Sequence, residues 1–405
     1  MEQFFRMKKN YRLTIFACFV GYIVQGIINN YTPLLFVTFN QTYGIPLSQI
    51  ALLISLNFGV QLAVDALCAL IIDRTGWRVP IVLAHVLSFI GLVSLAVLPN
   101  IMADTFTALI ICVTMLGMGG GLLEVLVSPI VEACPTDNKS GIMSLLHSFY
   151  CWGHCGVVII STLFFAIFGI ENWHILAIIW ASVPFVNAII FTRAPLAEHS
   201  AEEKESNSFK ALFSDKSFIL FIIIMFCAAC CELSVAQWSS AFAEKALGLT
   251  KATGDLFGTL FFAALMGLSR VIYTYVSSRR EISLEKTIFY SGILCVASYL
   301  VISLCPIPII SLIGIGICGF SVGMLWPGTF SLAAANIKGG GTTLFALLAL
   351  FGDLGCGLGP FVVGSIASAA NDNLNIGILS ATAFPIIMCL SLLIFFKKRA
   401  PARCE

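Results

Sequence analysis

The chain has 405 residues, of which 59% are apolar and only 11% are Asp, Glu, Lys or Arg. Soluble domains carry roughly 25% charged residues, so this composition excludes a soluble fold. The formal net charge of +1 gives no information about partners. We expect no binding of nucleic acid.

Twelve apolar segments are long enough to cross a bilayer as helices, which requires about 20 apolar residues each. These predicted helices, numbered 1 to 12, begin near Tyr11, Leu47, Val79, Phe106, Gly141, Trp173, Ser217, Ala252, Thr287, Ile307, Thr342 and Leu374. The first apolar run, about 13–37, is too long for the apolar region of a cleaved signal peptide, so we expect it to remain as helix 1. The sequence therefore predicts an all-α membrane protein.

Positive charges lie mostly on one side of the predicted helices. When the loops are assigned alternately to the two sides, 19 of the 22 Lys and Arg residues fall on one side. Lys245 and Lys251 fall on the other side, and Arg270 lies within a helix. Because short basic loops stay cytoplasmic, we expect a multi-pass protein of the cell membrane with both termini in the cytoplasm.

Uncharged polar residues on helix 1, and on helix 5 as its expected neighbour in space, indicate a substrate that forms hydrogen bonds. Amide and imidazole groups beside aromatic rings suit a neutral, hydroxylated solute. The predicted substrate site in this half consists of Gln25, Asn29, Asn30, His147, Tyr150 and His154.

Helix 2 carries Asn57, Gln61 and Asp65 at four-residue spacing, so these side chains share one face. A charge near the bilayer centre costs at least roughly 2.5 kcal/mol and usually faces the bundle interior or a water-filled path. Asp65 is therefore a candidate proton carrier. Alternatively, the polar face joins helix 2 to helix 11.

The segment 73–78 between helices 2 and 3 reads Asp-Arg-Thr-Gly-Trp-Arg and resembles the loop signature of the major facilitator superfamily. Ala69 stands where that signature has its first glycine, and the second half has only a blurred counterpart near Arg279. The charged groups can pair with the end of a neighbouring helix and hold one transport state, although an ordinary basic cytoplasmic loop is the alternative. We predict a gating or structural role for Asp73, Arg74, Gly76 and Arg78.

Helix 4 places Gly117, Gly121, Glu124 and Ser128 on one face, which combines close packing with a carboxyl group. A buried carboxyl that is exposed alternately to wet and dry surroundings gains and loses a proton. We therefore predict that Glu124 couples a proton to transport. The alternative is a static buried pair with Arg270.

The second half offers further candidates. An indole face can stack on the C–H side of a sugar ring while amides bind its hydroxyl groups, although a membrane Trp more often packs or lies at the interface. We add to the substrate site Glu232, Gln237, Trp238 and Trp326. Helix 11 carries Asp353 in the glycine-rich segment 351–360, which permits bending and close helix approach. We predict gating or structural roles for Asp353 and Arg270.

The two halves of the chain repeat one another. Offsets of 201 to 204 residues relate Gly44 to Gly248, Gly117 to Gly319, Gly121 to Gly323, Glu124 to Trp326, and the pair Cys155-Gly156 to Cys356-Gly357. Tandem six-helix halves are typical of the major facilitator type of carrier. We predict an N-terminal six-helix bundle at 1–191, a cytoplasmic linker at 192–216 and a C-terminal six-helix bundle at 217–405, related by pseudo-symmetry.

A narrower resemblance rests on shorter runs. The segments 117–124 and 144–150, the pair Asn29-Asn30, and Glu232 with Trp238 look like the fucose and glucose/galactose proton symporter branch of the superfamily. This likeness implies a sugar or sugar-like substrate, alternating access and a role for Glu124 in proton coupling. Fucose permeases have an aspartate three residues after the Asn-Asn pair, where this chain has Pro33. Coupling would then use Glu124 alone, recruit Asp65, or be absent.

We therefore predict a secondary active transporter that moves a neutral hydroxylated solute with protons. Its partners would be a small-molecule substrate, protons and the lipid bilayer, and we expect a monomer. The alternatives are an efflux antiporter for drugs or metabolites, an uncoupled sugar facilitator, and a non-transporting receptor. Antiport is less favoured because helix 5 lacks the Gly-Pro motif of drug antiporters.

An enzyme is not expected, because the sequence contains no phosphate-binding loop, zinc-binding helix or nucleophile elbow. The 15 cysteines lie mostly in apolar segments, where a thiol behaves as a small apolar group. The nearest approach to a metal motif consists of His147, Cys151, His154 and Cys155 on helix 5, for which we prefer a structural or substrate-facing role. We predict no metal and no cofactor.

Overall fold

The structure is a computed structural model that describes residues 11–135, 139–196, 209–277, 279–280, 282–337 and 341–399. In these residues the regular structure is helical, and twelve helices are long and apolar enough to cross a membrane. The longest helical segment of each span is, in chain order, helix 1 (Arg12–Asn30), helix 2 (Leu47–Thr75), helix 3 (Arg78–Ile101), helix 4 (Thr105–Ala133), helix 5 (Lys139–Phe168), helix 6 (Trp173–Arg193), helix 7 (Lys216–Ala236), helix 8 (Phe261–Ser277), helix 9 (Leu284–Leu304), helix 10 (Pro308–Val322), helix 11 (Gly341–Ala369) and helix 12 (Ala383–Arg399). The prediction of an all-α fold with twelve spans is confirmed.

Shorter helical segments extend several of these helices. They are Thr32–Leu35 and Phe36–Tyr43 after helix 1, Ile170–Asn172 before helix 6, Phe209–Ser214 before helix 7, Ser239–Lys245 after helix 7, Lys251–Gly254 and the π-helix Asp255–Leu260 before helix 8, Leu325–Asn336 after helix 10, and Leu374–Ala381 before helix 12. The break after helix 1 contains Pro33, which has no backbone N–H to continue the hydrogen-bond ladder. Five of the twelve spans are thus assembled from two or more helical segments.

Side-chain caps stabilise the N-terminal ends of helices 4 and 9. The Asp104 carboxylate accepts hydrogen bonds from the backbone N–H groups of Phe106 (3.1 Å) and Thr107 (3.3 Å) at the start of helix 4. The hydroxyl of Thr107 also donates to Asp104, and these hydrogen bonds lower the pKa of the carboxyl group, the hydroxyl bond contributing most. Ser283 caps helix 9 in the same way. These caps satisfy N–H groups that a helix cannot pair internally.

The chain forms two compact units. Unit 1 contains Met1–Ile45 and Leu56–Glu202, and unit 2 contains Pro46–Ser55 and Glu203–Glu405. Within the predicted linker 192–216, residues 197–208 lie outside the described part of the chain.

Close helix packing in unit 1 depends on glycine. A Cβ atom added to Gly117 would lie 2.8 Å from the carbonyl oxygen of Asn57, and one added to Gly121 would lie 2.8 Å from that of Gln61. Helix 4 therefore lies directly against the backbone of helix 2. Helix 1 approaches helix 5 in the same manner, since a Cβ at Gly26 would lie 3.1 Å from the backbone nitrogen of His154. The expected neighbourhood of helices 1 and 5 is confirmed.

Unit 2 repeats this packing with other partners. Gly323 on the continuation of helix 10 lies against helix 8, where an added Cβ would be 2.7 Å from the carbonyl oxygen of Met266. On helix 11, a Cβ at Gly359 would lie 2.8 Å from the Cα of Cys230 on helix 7. The glycine-rich segment of helix 11 thus permits the close approach that the sequence predicts.

Candidate functional site

A cluster of amides and carboxyls joins helices 1, 2 and 4 in unit 1. The amide nitrogen Nε2 of Gln25 donates to Oε1 of Gln61 at 3.0 Å and to Oε2 of Glu124 at 3.4 Å. Gln25 and Gln61 are both buried. One side-chain amide thus connects the predicted proton carrier on helix 4 to the polar face of helix 2.

Asn29 extends the cluster by one helical turn. Its Oδ1 accepts hydrogen bonds from Nε2 of Gln61 at 3.1 Å and from Nδ2 of Asn57 at 3.2 Å. The four-residue spacing of Asn57 and Gln61 places both amides toward helix 1. These two residues therefore belong to the cluster, although the predicted site includes neither.

Asp65 lies one turn further along helix 2 and interacts electrostatically with Glu124. Its Oδ1 atom is buried and has no hydrogen-bond partner, and the same holds for Oε1 of Gln25. Asp65 is half-buried and Glu124 is exposed. Two interacting carboxyl groups repel each other when both are ionised. The pair is therefore suited to hold one proton between two carboxyls.

The other predicted substrate residues of unit 1 lie on helices 1 and 5. Nδ2 of Asn30 donates to the carbonyl oxygen of Gly26, one turn back on helix 1. His154 is 3% exposed, and its Nε2 has no hydrogen-bond partner. Tyr150 is half-buried on helix 5, and the side chain of His147 lies outside the described residues. The hydroxyl groups of Tyr22 and Ser128 form a further bond of 2.9 Å between helices 1 and 4.

The charged residues of unit 2 are held differently. The guanidinium Nε of Arg270 donates to the carbonyl oxygen of Gly323 at 3.0 Å, and Arg270 interacts electrostatically with Glu232 on helix 7. Gln237 is buried at the end of helix 7, and Asp353 is half-buried on helix 11. Unit 2 thus pairs an acid with a base where unit 1 has two acids.

The two predicted stacking residues differ in their surroundings. Trp238 is fully buried, and its Nε1–H donates to the carbonyl oxygen of Pro360 at 3.0 Å. Trp326 is only half-buried, packs over Gly352, and contacts the ring of Phe330 with centroids 6.1 Å apart. Trp326 keeps part of its ring accessible, whereas Trp238 is used in packing.

A model of the Major Facilitator Superfamily matches residues 14–360 of this sequence. The chain belongs to the major facilitator superfamily. It is therefore a membrane transporter of small molecules and not an enzyme. No curated protein sequence matches it significantly.

Solved structures of facilitators share the fold at low sequence identity. A D-xylose–proton symporter matches with a TM-score of 0.80 and 13% identity, over 96% of this chain and 98% of that one. A bacterial homologue of the human lysosomal transporter Spinster, in an inward-facing and occupied conformation, matches with a TM-score of 0.79 and 13% identity, over 96% of this chain and 98% of that one. The E. coli fucose:proton symporter matches with a TM-score of 0.64 and 15% identity, over 95% of this chain and 99% of that one. The fold is thus common to transporters with different substrates.

The loop signature, residues 73–78, contacts the end of helix 6 through Arg78. Gly76 turns the chain with a φ of 65°, a left-handed conformation that favours glycine. The guanidinium of Arg78 then donates to the carbonyl oxygens of Phe191 (2.8 Å), Thr192 (2.9 Å) and Ala194 (2.9 Å) at the end of helix 6. The side chains of Asp73 and Arg74 lie outside the described residues. Arg78 thus caps carbonyl groups that a helix end leaves unpaired.

The sequence analysis does not predict two further sets of polar contacts in this transporter. In unit 1, buried His85 contacts Ile81 O through Nδ1 and Asn187 Nδ2 through Nε2, both at 2.7 Å. Asn187 also donates to the carbonyl oxygen of Ala17 at 2.9 Å, so it links helices 6, 3 and 1. A lone polar residue in an apolar helix is the only sequence signal for such a link.

The second group is an ionic cluster in unit 2. The Nζ of Lys251 donates to Oδ1 of Asp255 at 2.8 Å and to Oε1 of Glu244 at 3.3 Å, and the hydroxyl of Ser240 donates to both acids. Asp255 is fully buried at the start of the π-helix. In the part of the chain that the structure describes, no group of three or more His, Cys, Asp or Glu residues is arranged to hold a metal ion.

Proposed function

We propose that this transporter is a proton-coupled symporter of a neutral hydroxylated solute, such as a sugar, and that it works by alternating access. The hydrogen bond from Gln25 to Glu124 carries the proposal, because it joins a predicted substrate residue to a predicted proton carrier. The moving bodies would be the halves 1–191 and 217–405, joined by the linker 192–216. The protein would act as a monomer in the cell membrane, with both termini in the cytoplasm.

Proton binding would change what Gln25 can offer a solute. A hydrogen bond to an ionised carboxylate is roughly twice as strong as one to a neutral group, so the amide of Gln25 is held while Glu124 is ionised. When the carboxyl pair Glu124 and Asp65 takes up a proton, this bond weakens and the amide becomes free to donate to a hydroxyl group. Proton and solute would therefore bind together.

The vacant acceptors favour a solute that brings hydrogen-bond donors. Oε1 of Gln25 and Oδ1 of Asp65 are buried without partners, and a buried acceptor left unpaired costs about 1–3 kcal/mol. Hydroxyl groups of a sugar would supply the missing donors. In unit 2, we propose Trp326 as the stacking residue in preference to Trp238, with Glu232 and Gln237 as polar contacts.

Uptake into proteoliposomes tests the coupling. An imposed inside-alkaline gradient should accelerate uptake of the transported sugar, and Glu124→Gln should abolish gradient-driven accumulation while counterflow exchange continues. Glu132→Gln, at the exposed cytoplasmic end predicted for the same helix, is the matched control and should leave both processes unchanged. Uptake that ignores the gradient would indicate an uncoupled facilitator, and acceleration by the opposite gradient would indicate an antiporter.

The substrate itself requires a separate experiment. Thermal-shift measurements on detergent-purified protein with monosaccharides, nucleosides and organic acids should give stabilisation by a monosaccharide. Stabilisation by organic acids alone would contradict a neutral solute. The absence of any transport with any ligand that binds would support a receptor.

A further inference from the structure

Unit 2 contains an apolar cavity of about 530 Å³ where the chain entering helix 8 passes the start of helix 10. One wall repeats at every fourth residue and consists of Leu249, Thr253, Phe257 and Phe261. The other wall is formed mainly by Ile309, Leu312 and Ile313. The volume falls within the roughly 300–1,000 Å³ of small-molecule sites, and every lining residue except the threonine is apolar.

The cavity lies on a lipid-facing surface of helix 10. This helix packs against helix 8 through Gly316 and Gly319, which lie on another face. Ile309, Ile313 and Ile317 follow one another at four-residue spacing and are 65%, 48% and 37% exposed. Large exposed apolar side chains on a membrane-spanning helix contact hydrocarbon, so the cavity opens toward acyl chains.

The depth of the cavity matches one leaflet. From Thr253 to Phe261 the lined wall rises at most roughly 12 Å, the value for an α-helix at 1.5 Å per residue, because the wider π-helix Asp255–Leu260 rises less per residue. One leaflet contributes about half of the ~30 Å hydrocarbon core. A single acyl chain running along the membrane normal would therefore follow the whole wall.

The nearby basic residue is already neutralised. Lys251, two positions from Thr253, donates to Asp255 and Glu244, whose carboxylates lie 2.8 Å and 3.3 Å from its Nζ. A lipid phosphate at this level would have to compete with two acids for the ammonium group. Recognition of a lipid must therefore depend on its acyl chain and not on the charge of its headgroup.

We propose that this cavity binds one acyl chain of a bilayer lipid, with little preference for headgroup charge. The occupant is a lipid and not a second copy of the chain, because a specific protein interface buries more than about 1,000 Å² and a cavity of this size accepts only a few side chains. The bound chain would lie against Phe257 and thus against the π-helix that leads into helix 8. The proposal is independent of the transported substrate.

Photolabelling of the full chain in proteoliposomes tests the site. The probe is a phosphatidylcholine with a diazirine on one acyl chain, and labelled positions are mapped by mass spectrometry. Labels should concentrate on 249–261 and 308–313, above the level on exposed residues of helix 6. A phosphatidylglycerol probe with the same chain should label equally, and competition by unlabelled lipid should require a long acyl chain.

A matched pair of variants locates the bound chain. Ile313→Trp fills the cavity, so labelling should fall about tenfold if the chain loses contact with roughly two methylene groups. Ile317→Trp makes the same change one turn away on the same face and should leave labelling unchanged. If Ile313→Trp does not fold, the long-chain competition with the native protein decides. Even labelling of all lipid-facing helices, a strong preference for the anionic probe, or cross-linking of two copies at these residues would overturn the proposal.

Discussion

The packing of helix 2 against helix 4 and that of helix 8 against helix 10 are built alike but hold different chemistry. In unit 1, Gly117 and Gly121 lie against the backbone of Asn57 and Gln61. In unit 2, Gly319 and Gly323 lie against Phe262 and Met266, at the same relative positions. The glycines that set the helix approach are kept, while the amides of one unit are replaced by apolar side chains in the other.

The charged residues follow the same correspondence. Asp65 lies four residues after Gln61, as Arg270 lies four residues after Met266, and Glu124 corresponds to Trp326. Unit 1 therefore places two carboxyls where unit 2 places a guanidinium and an indole. The glycine spacing is repeated in the two units, and the exchange of side chains on it places the proposed proton carriers Asp65 and Glu124 in unit 1.

The shared packing should be sensitive to a single methyl group. Gly121→Ala and Gly323→Ala should each lower the free energy of unfolding by about 3 kcal/mol, because the new Cβ meets backbone that cannot yield. Gly59→Ala on helix 2 and Gly267→Ala on helix 8 are matched controls with open space around the added Cβ. These should be stabilising by roughly 0.5–1 kcal/mol. Thermal unfolding in detergent measures all four, and equal losses in all four variants would refute the close approach.

Removing the charge at the corresponding positions should have opposite effects in the two units. Arg270→Gln should cost about 2 kcal/mol, less than for a fully buried pair, because Glu232 is left without its cation. Asp65→Asn should be neutral or stabilising by about 1 kcal/mol at pH 8, because it removes repulsion with Glu124.

The double variant Arg270→Gln with Glu232→Gln sharpens this comparison. It should recover most of the stability lost in Arg270→Gln, as measured by the temperature of half-unfolding. An additive loss in the double variant would show that the two residues do not interact. A large loss in Asp65→Asn would show that Asp65 has a structural partner.

The loops after helices 2 and 8 should also differ. Arg78 caps three carbonyl groups of helix 6, so Arg78→Ala should cost about 1.5–2 kcal/mol, and Arg78→Lys should recover less than half because a lysine lacks the forked donor geometry. Arg279 in unit 2 lies 4.2 Å above the ring of Tyr275, where Arg279→Ala should cost only about 0.5 kcal/mol. Equal costs at the two positions, measured by thermal unfolding, would contradict a special role for the signature arginine.

Sequence reasoning finds features that depend on spacing along one helix. The apolar lengths give the twelve spans, the glycine repeat gives the packing positions, and the four-residue spacing of Asn57, Gln61 and Asp65 gives their common face. The bonds from Gln25 are different, since they depend on the rotation of three helices about their axes. Packing sets that rotation, and no local pattern encodes it.

Neighbouring residues show the same limit. Asn29 and Asn30 are equivalent in the sequence pattern, yet Asn29 accepts from helix 2 while Asn30 donates to its own helix. A 100° turn between successive residues on a helix separates the two roles. The contact between Lys251 and Glu244 is equally hidden, because it crosses the break between the helical segments Ser239–Lys245 and Lys251–Gly254.

The smallest expected effect concerns pH and the outer segments of the two units. Burial raises the pKa of Glu244 above its usual value, Asp255 adds to the rise, and Lys251 opposes it. The folded state then holds the proton more tightly than the unfolded chain, so Glu244 makes the free energy of unfolding fall as pH rises from the unfolded pKa through the folded one. Glu244→Gln should flatten this decline.

Asp104 in unit 1, whose pKa is lowered, should act oppositely, with stability lost as pH falls. Asp104→Asn should remove that loss. The unfolding temperature is measured from about pH 2.5 to pH 8, because the effect of Asp104 lies below its unfolded pKa and that of Glu244 lies above its own. Slopes in the same direction for both residues would contradict the assignment.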